Sequence, residues 1–276
     1  MAKKSVGFFS MDLLILSFTF FPLKLNTDNP VFENAMFFLF GHCCNDMSNF
    51  AEVLIDHTSI QFISMQATER DTRIQKELVN SIIHGFGIIF GIISIPILIA
   101  FAIKSNNTRG VIGAAIYGFC FLQLFTFSTL YHGFQHPQAK RVFEILDHIS
   151  IYFLISGTYT PFLLIYMDNS FGITLLTVLW SLTAIGIVFK IFFTGKWNIL
   201  STIVYIAMGC ILVVGGRTFF VHIPGDVMTM ILIGGVLYLV GVIFYLWEKY
   251  PYNHALWHFF VLAAAVCHYV AILLAV

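Results

Sequence analysis

The stretch NHALWHFFVLAAAVCHYVAILLAV, residues 253–276, is an apolar run with two histidines near its beginning. A helix of about 20 apolar residues is long enough to cross a bilayer, so this stretch is predicted to be a transmembrane helix. His254 and His258 are four positions apart, which places both imidazoles on one face of the helix, about a turn apart. That spacing suits a metal ion, but it equally suits two unrelated histidines at a membrane boundary. The rest of the sequence is needed to distinguish these two interpretations.

The composition identifies an integral membrane protein. Of the 276 residues, 59% are hydrophobic and only 10% are charged, which is far from the profile of a soluble globular domain. The formal net charge is zero, so no basic patch recommends nucleic acid as a partner. The five cysteines include no CxxC pair, which argues against a disulfide framework or a sulfur-rich zinc site.

Seven apolar runs near the length of a membrane-spanning helix predict an all-α fold, a bundle of seven transmembrane helices. Short polar connections separate the runs, which are approximately residues 82–103, 110–131, 145–166, 171–193, 199–215, 227–247 and 254–276.

The basic residues predict the orientation of the bundle, because Lys and Arg are enriched in short cytoplasmic loops. If the segment before the first run is cytoplasmic, eight basic residues lie inside and three lie outside. The N-terminus of the bundle is therefore predicted inside and its C-terminus outside. The eight are Arg70, Arg73, Lys76, Lys140, Arg141, Lys190, Lys196 and Lys249.

The first 64 residues fit this plan poorly. Residues 1–75 are interpreted as an N-terminal extension, followed by a membrane domain over residues 76–276. The run LLILSFTFFPL at 13–23 resembles a signal-peptide core, but no small-residue cleavage site follows it and it is short for a spanning helix. The adjacent cysteines in HCC at 42–44 are poor ligands for one tetrahedral ion. A further hypothesis is that Met65 is the natural start, because the residues after it would form a short cytoplasmic leader.

Polar residues cluster at one predicted level of the bundle, at the inner ends of four runs that are distant in sequence. Ionisable groups are expensive inside a membrane, so they are commonly paired or functional. The only histidine in a predicted outer connection is His222. The residues at the inner level are Glu77, Asn80, His84, Ser128, His132, Asp147, His148, His254 and His258.

Three of these histidines, His132, His254 and His258, would supply the ligands of a catalytic zinc ion, with a fourth position left for water. Such an ion makes hydroxide available near neutral pH to attack a carbonyl. Asp147 would act as general base or orient a ligand, and the sequence does not distinguish these roles. Ser128, one turn before His132, would serve similarly.

The other polar residues in the apolar runs have simpler interpretations. Glu77, Asn80 and His84 would line the cavity or brace the helices. A single histidine at a membrane boundary is usually an amphipathic interfacial side chain, and this interpretation is preferred for His136, His148 and His222. His268 lies nearly three turns beyond His258 and is interpreted as a hydrogen-bonded or cavity-lining residue. The GxxxG formed by Gly87 and Gly91 is typical of close helix packing.

Four stretches of the sequence carry a resemblance to a known family. Over about residues 76–276, the chain resembles the hemolysin III family. This family is the bacterial branch of the superfamily that includes the progestin and adiponectin receptors. The matching stretches are ELVNSIIHGFG (77–87), FSTLYH (127–132), ILDHISIYFLISGTYTPF (145–162) and HALWHFFVLAAAVCHYVAI (254–272).

The resemblance implies a seven-helix bundle in a bacterial cytoplasmic membrane, with zinc near the inner leaflet. It implies His132, His254 and His258 as the metal ligands, Asp147 as the residue that contacts the zinc-bound water, and Ser128 as the serine of an SxxxH pattern. The superfamily includes alkaline ceramidases, so the reaction expected is zinc-dependent hydrolysis of a lipid amide or ester, with membrane lipid as the partner.

Other functions remain open at this stage. The family name derives from red-cell lysis attributed to pore formation, so the alternative is a pore-forming cytolysin or channel with structural zinc. A conducting path needs polar groups along its length, whereas here they lie almost entirely at one end. A receptor would need a ligand-binding or effector region that the sequence does not display, and a haem protein with paired histidine ligands is the weakest alternative. Protein partners are not indicated.

Overall fold

The computed structural model describes residues 47–247 and 249–276. The chain divides into two units, Met1–Met65 and Gln66–Val276. The described residues of the first unit, 47–65, are helical. The signal-like run at 13–23 and the cysteine pair at 43–44 lie outside the described residues.

The fold is entirely helical over the described residues, which contain no strand. From residue 47 onward the described chain forms eight helices: α1 (Met47–Lys104), α2 (Thr108–Gly133), α3 (Pro137–Tyr166), α4 (Ser170–Phe193), α5 (Asn198–Gly209), α6 (Ile211–His222), α7 (Gly225–Leu246) and α8 (Asn253–Ala275).

Local sequence explains where the helices begin. The side chain of Asn107 accepts a hydrogen bond from Gly110 N at 2.8 Å at the start of α2, and Asn169 does the same for Gly172 N at 2.9 Å at the start of α4. Asparagine suits this position because its side-chain oxygen satisfies an amide that has no partner within the helix. Pro137 occupies the first turn of α3, where the missing N–H costs nothing.

Among the described residues, six helices are long and apolar enough to cross a membrane: α1 over Ser64–Lys104, α2, α3, α4, α7 and α8. The apolar runs predicted these six well, and α4, for example, begins one residue before the predicted run at 171–193. The prediction of an all-α membrane protein is confirmed over the residues that the structure describes.

The predicted fifth run, 199–215, is not one continuous helix. It is divided between α5 and α6, each of 12 residues. The break follows Gly209, whose carbonyl oxygen accepts a hydrogen bond from Tyr159 Oη on α3, and Cys210 then leaves helical geometry. Gly216 lies within α6 at φ 52° and ψ −145°, a conformation available essentially to glycine. The break within the run therefore lies beside the contact between Tyr159 and Gly209, and Gly216 bends α6 just beyond the predicted end of the run.

Close helix pairs build the core of the bundle: α2 packs on α3, α3 on α4, and α7 on α8. At Gly113 of α2 an added Cβ would lie 2.5 Å from the Cα of Pro161 on α3, so the two backbones approach directly. At Gly87 of α1 an added Cβ would lie 2.4 Å from the ring of Phe125 on α2. The interpretation of the GxxxG as a packing surface within the bundle is confirmed at this glycine.

Buried hydroxyls tie the helices together within the apolar core. Tyr117 of α2 donates to Ala265 O of α8 at 2.8 Å, and Tyr269 of α8 donates to Ser94 O of α1 at 3.0 Å. In an environment without water these bonds satisfy groups that would otherwise be costly to bury. They connect α1, α2 and α8, the three helices that carry the histidines described next.

Candidate metal centre

Three histidines from two distant parts of the chain meet at one end of the bundle. His132 lies in the last turn of α2, and His254 and His258 lie in the first two turns of α8. One ring nitrogen from each can be chosen so that all three nitrogens lie within 4.8 Å of one another. The rings of His254 and His258 have centroids 4.5 Å apart, as expected for side chains one turn apart on a helix.

His258 lies at the centre of the group. Its Nε2 is 2.9 Å from Nε2 of His132, and its Nδ1 is 2.9 Å from Nε2 of His84 on α1. The same His84 nitrogen is 3.3 Å from the backbone oxygen of His258. His84 therefore contacts His258 through both the ring and the main chain, and it braces the metal-ligand candidate from the neighbouring helix.

Glu77 of α1 contacts the other side of His132. His132 Nδ1 donates to Glu77 Oε2 at 2.6 Å, and Lys140 Nζ donates to Glu77 Oε1 at 2.9 Å. Lys140 also donates to the backbone oxygen of Tyr131 at 3.2 Å and lies over the tyrosine ring. Only residues 134–136 separate α2 from α3, and this short connection brings the first turn of α3 beside the last turn of α2.

Asp147 and Ser128 lie on the same side of the bundle as His132. Ser128 is fully buried and lies near Asp147, although its Oγ makes no hydrogen bond within the described part of the chain. Asp147 is half-buried and interacts electrostatically with His132 and His148. It does not belong to the three-histidine group.

The group is buried on one side and open on the other. His132 and His258 are each 3% exposed, whereas His254 is exposed. The partly open histidine gives a small molecule a route to the group without unfolding of the helices.

The three imidazoles are suited to a metal ion. Tetrahedral zinc with Zn–N bonds near 2.0–2.1 Å requires ligand nitrogens about 3.3 Å apart, and the separations here range from 2.9 Å to at most 4.8 Å. With its proton on Nδ1 directed at Glu77, His132 presents the lone pair of Nε2 to the group. Small side-chain rotations would therefore complete a three-nitrogen site.

Four further histidines of the described part of the chain lie outside this group. His148 donates from Nδ1 to the backbone oxygen of Glu144, one turn earlier in α3, at 2.7 Å. His136 is exposed just before α3, and His222 is exposed at the end of α6. His268 Nε2 donates to Ile231 O of α7 at 3.2 Å, which confirms the interpretation of this residue as hydrogen-bonded.

The sequence did not reveal Lys140 as part of the site. It was counted there only as a cytoplasmic charge, because nothing in the local sequence relates it to Glu77, 63 positions earlier. The proximity of Lys140 to the end of the second apolar run was the one available signal. For Glu77, Asn80 and His84, the sequence left open whether they line the cavity or brace helices. Asn80 Nδ2 lies 3.5 Å from His132 Nδ1, and all three residues contact the histidines.

The fold and the site define a class of protein: a helical membrane protein with a group of three histidines at one end of its bundle. The model of the family described as haemolysin-III related matches residues 72–269. The chain belongs to this haemolysin-III related family, which is part of the progestin and adiponectin receptor superfamily. The resemblance found in the sequence is confirmed.

Relatives cover most of the second unit. Hemolysin-3 from Bacillus cereus is 43% identical over 210 residues, which is 75% of this chain and 96% of that protein. A hemolysin-3 homolog from Bacillus subtilis (strain 168) is 40% identical over 200 residues, covering 72% and 94%. The monocyte to macrophage differentiation factor of Homo sapiens is 28% identical over 201 residues, covering 70% and 81%. The bacterial relatives and the apolar helices identify an integral protein of a bacterial membrane.

Proposed function

We propose that residues 76–276 form a zinc-dependent hydrolase that cleaves an amide or ester bond of a membrane lipid. The observation that carries the proposal is the three-histidine group, His132, His254 and His258, with Asp147 and Ser128 beside it at one end of the helices. Residues 1–75 remain an extension outside this functional domain.

Zinc is the metal expected for this donor set. Three neutral imidazoles with no cysteine match the ligands of catalytic zinc, which leaves a fourth coordination position open. When bound there, zinc polarises a carbonyl group and makes a water molecule more acidic. The three histidines would hold the ion, and the exposed His254 marks the side from which a headgroup-linked carbonyl reaches it.

Asp147 is assigned as the general base. It would accept a proton from the water that adds to the carbonyl carbon, and it would return that proton to the nitrogen or oxygen of the leaving group as the C–N or C–O bond breaks. We assign the Ser128 hydroxyl to orient the carboxylate, because Ser128 is buried on α2 near Asp147. Neither role requires the side chain to bind the ion directly.

The position of the histidines supports a topology of seven membrane crossings. The chain leaves the site at the end of α2 and returns to it at the start of α8, so an even number of crossings must lie between. Counting α3, α4 and α7 gives three, and α5 with α6 must supply a fourth. At a rise of about 1.5 Å per residue, the 12 residues of α5 span about 18 Å, and α6, which is bent at Gly216, would supply the rest of the roughly 30 Å hydrocarbon core.

The site is placed at the cytoplasmic side of a bacterial cytoplasmic membrane, with the N-terminus of the bundle inside and its C-terminus outside. Arg141, Lys196 and Lys249 lie in or beside connections at the site's end, in agreement with the preference of basic residues for that side.

A second candidate function, a pore-forming cytolysin or channel with a structural metal, is favoured by the name of the Bacillus cereus relative, Hemolysin-3. The polar groups near the histidines are concentrated at one end of the bundle. Beyond them, the buried face of α2 carries the aromatic side chains of Tyr117, Phe121 and Phe125. This packing leaves the hydrolase as the better supported function.

The two candidates are separated by measuring turnover and conductance on the same preparations. Purified zinc-loaded protein is incubated with N-acyl and O-acyl lipids, and fatty-acid release is compared between wild type and Asp147→Asn. Release by the wild type alone supports the hydrolase. Loaded wild type that releases no fatty acid from either lipid class overturns it, and conductance in planar bilayers that survives His254→Ala establishes the pore instead.

A further inference from the structure

The carboxyl group of Glu77 connects three helices through its two oxygens. Oε2 accepts from His132 Nδ1 on α2 at 2.6 Å, and Oε1 accepts from Lys140 Nζ on α3 at 2.9 Å. The glutamate itself is on α1, and its side chain is 18% exposed while that of His132 is 3% exposed. A charged hydrogen bond this short in a largely dry environment is among the stronger polar contacts available to a protein.

This contact decides which nitrogen of His132 carries its proton. A carboxylate only accepts hydrogen bonds, so the imidazole nitrogen facing it must be the N–H. In a neutral ring the other nitrogen, Nε2, then has the free lone pair, and it is Nε2 that faces His258 at 2.9 Å. The opposite tautomer would set the Nδ1 lone pair against the carboxylate and would place a proton where a metal has to bind.

Lys140 fixes the carboxylate in this orientation. Its ammonium group donates to Glu77 and to the backbone oxygen of Tyr131, the residue next to His132. With one carboxylate oxygen held by Lys140, the other remains directed at the histidine. The contact therefore depends on one residue from each of three helices: Glu77 of α1, His132 of α2 and Lys140 of α3. Of these, His132 is the metal-ligand candidate.

We propose that Glu77, held by Lys140, is a positioning residue that keeps His132 in its Nδ1–H tautomer and thereby makes Nε2 the metal-binding atom. The inference rests on the metal site of the proposed function and adds to it the partner that prepares one ligand. Outer partners of this kind commonly change metal affinity by about 10–100-fold when removed.

The first test measures the tautomer directly, in metal-free protein. Histidine ring nitrogens labelled with nitrogen-15 give different chemical shifts for the protonated and unprotonated atoms, and a difference spectrum against His132→Gln assigns the ring. Wild type is expected to show the proton on Nδ1, and Glu77→Ala is expected to shift the ring toward the Nε2–H form. A wild-type ring protonated on Nε2, or a tautomer unchanged in Glu77→Ala, overturns the proposal.

The second test measures zinc affinity by competition with a chelator, in detergent-solubilised full-length protein. Glu77→Ala is expected to weaken zinc binding by about 10–100-fold, and Lys140→Met by a smaller factor because the carboxylate remains. Glu77→Gln keeps the size and one acceptor oxygen, so it should retain the fold and fall between wild type and Glu77→Ala. Equal affinity in wild type and Glu77→Ala contradicts the proposal.

The matched control is Glu69→Gln, an exposed glutamate on the same helix, which is expected to leave both tautomer and affinity unchanged. Failure of the proposed function has a different signature. A protein that binds zinc and shows the expected tautomer but releases no fatty acid from any lipid would refute the hydrolase and leave the assignment of Glu77 intact.

Discussion

The rings of His132 and His258 face each other with their Nε2 atoms 2.9 Å apart, although 126 positions separate them in the chain. Both side chains are buried, and each has a second ring nitrogen in contact with α1, through Glu77 and His84 respectively. Two histidines held in this way form a pair of ligands whose orientation is already set by contacts with α1.

Removal of either buried histidine should abolish metal binding. His132→Ala and His258→Ala each leave two of three nitrogens, so zinc measured by elemental analysis after purification should fall from about one per chain to a small fraction. His136→Ala removes an exposed histidine from the connection beside the site and should retain the full metal content. Equal zinc in all three variants would exclude the three-histidine group as the site.

Replacement of Asp147 should separate binding from chemistry. Asp147→Asn cannot accept a proton, so the rate of lipid hydrolysis should fall by about 10²–10⁴-fold, while zinc content should remain that of wild type. The control is Asp168→Asn, which changes an exposed carboxylate paired with Arg109 between α3 and α4. If Asp147→Asn loses its zinc together with its activity, the aspartate is a ligand rather than a base.

The approach of α2 to α3 should not tolerate a methyl group. Gly113→Ala places a Cβ 2.5 Å from the Pro161 Cα, and because backbone has to move, the bundle should lose about 1–3 kcal/mol of stability. Gly85→Ala adds a Cβ with nothing within 4 Å and should be neutral or stabilising by up to about 1 kcal/mol through helix propensity. Unfolding of the two variants in the same detergent provides the measurement, and equal unfolding midpoints would disprove the close contact.

Accessibility labelling should place the two connections next to the site on one side of the membrane. In a cysteine-free background, His136→Cys and Tyr250→Cys should react with an impermeant maleimide only from the cytoplasmic side. Asp168→Cys and Gly225→Cys should react only from the outside. Labelling of positions 225 and 250 from the same side would remove a crossing from α7 and contradict the seven-crossing topology.

Apolar run length predicted the long helices because a bilayer allows few alternatives to a continuous helix of this size. It failed at residues 199–215, where the break depends on a hydrogen bond from Tyr159, about 50 positions earlier in the chain. The spacing of four between His254 and His258 was visible in sequence, as was the serine one turn before His132. Their partners were not: the contacts of Glu77 with His132 and Lys140 depend on how α1 is rotated against α2 and α3, and no local pattern records that rotation.

The three-histidine group can form only when the end of α2 and the start of α8 lie on the same side of the membrane. In the proposed seven-crossing topology, four crossings lie between α2 and α8, and all four must insert in the correct direction before α8 can place its histidines beside His132. A molecule with any one of those passages inverted or left out would still be helical and still be embedded, but its imidazoles would be stranded on opposite leaflets. If the proposed site binds its metal, the metal content of the purified protein would therefore measure correct membrane insertion, independent of any substrate.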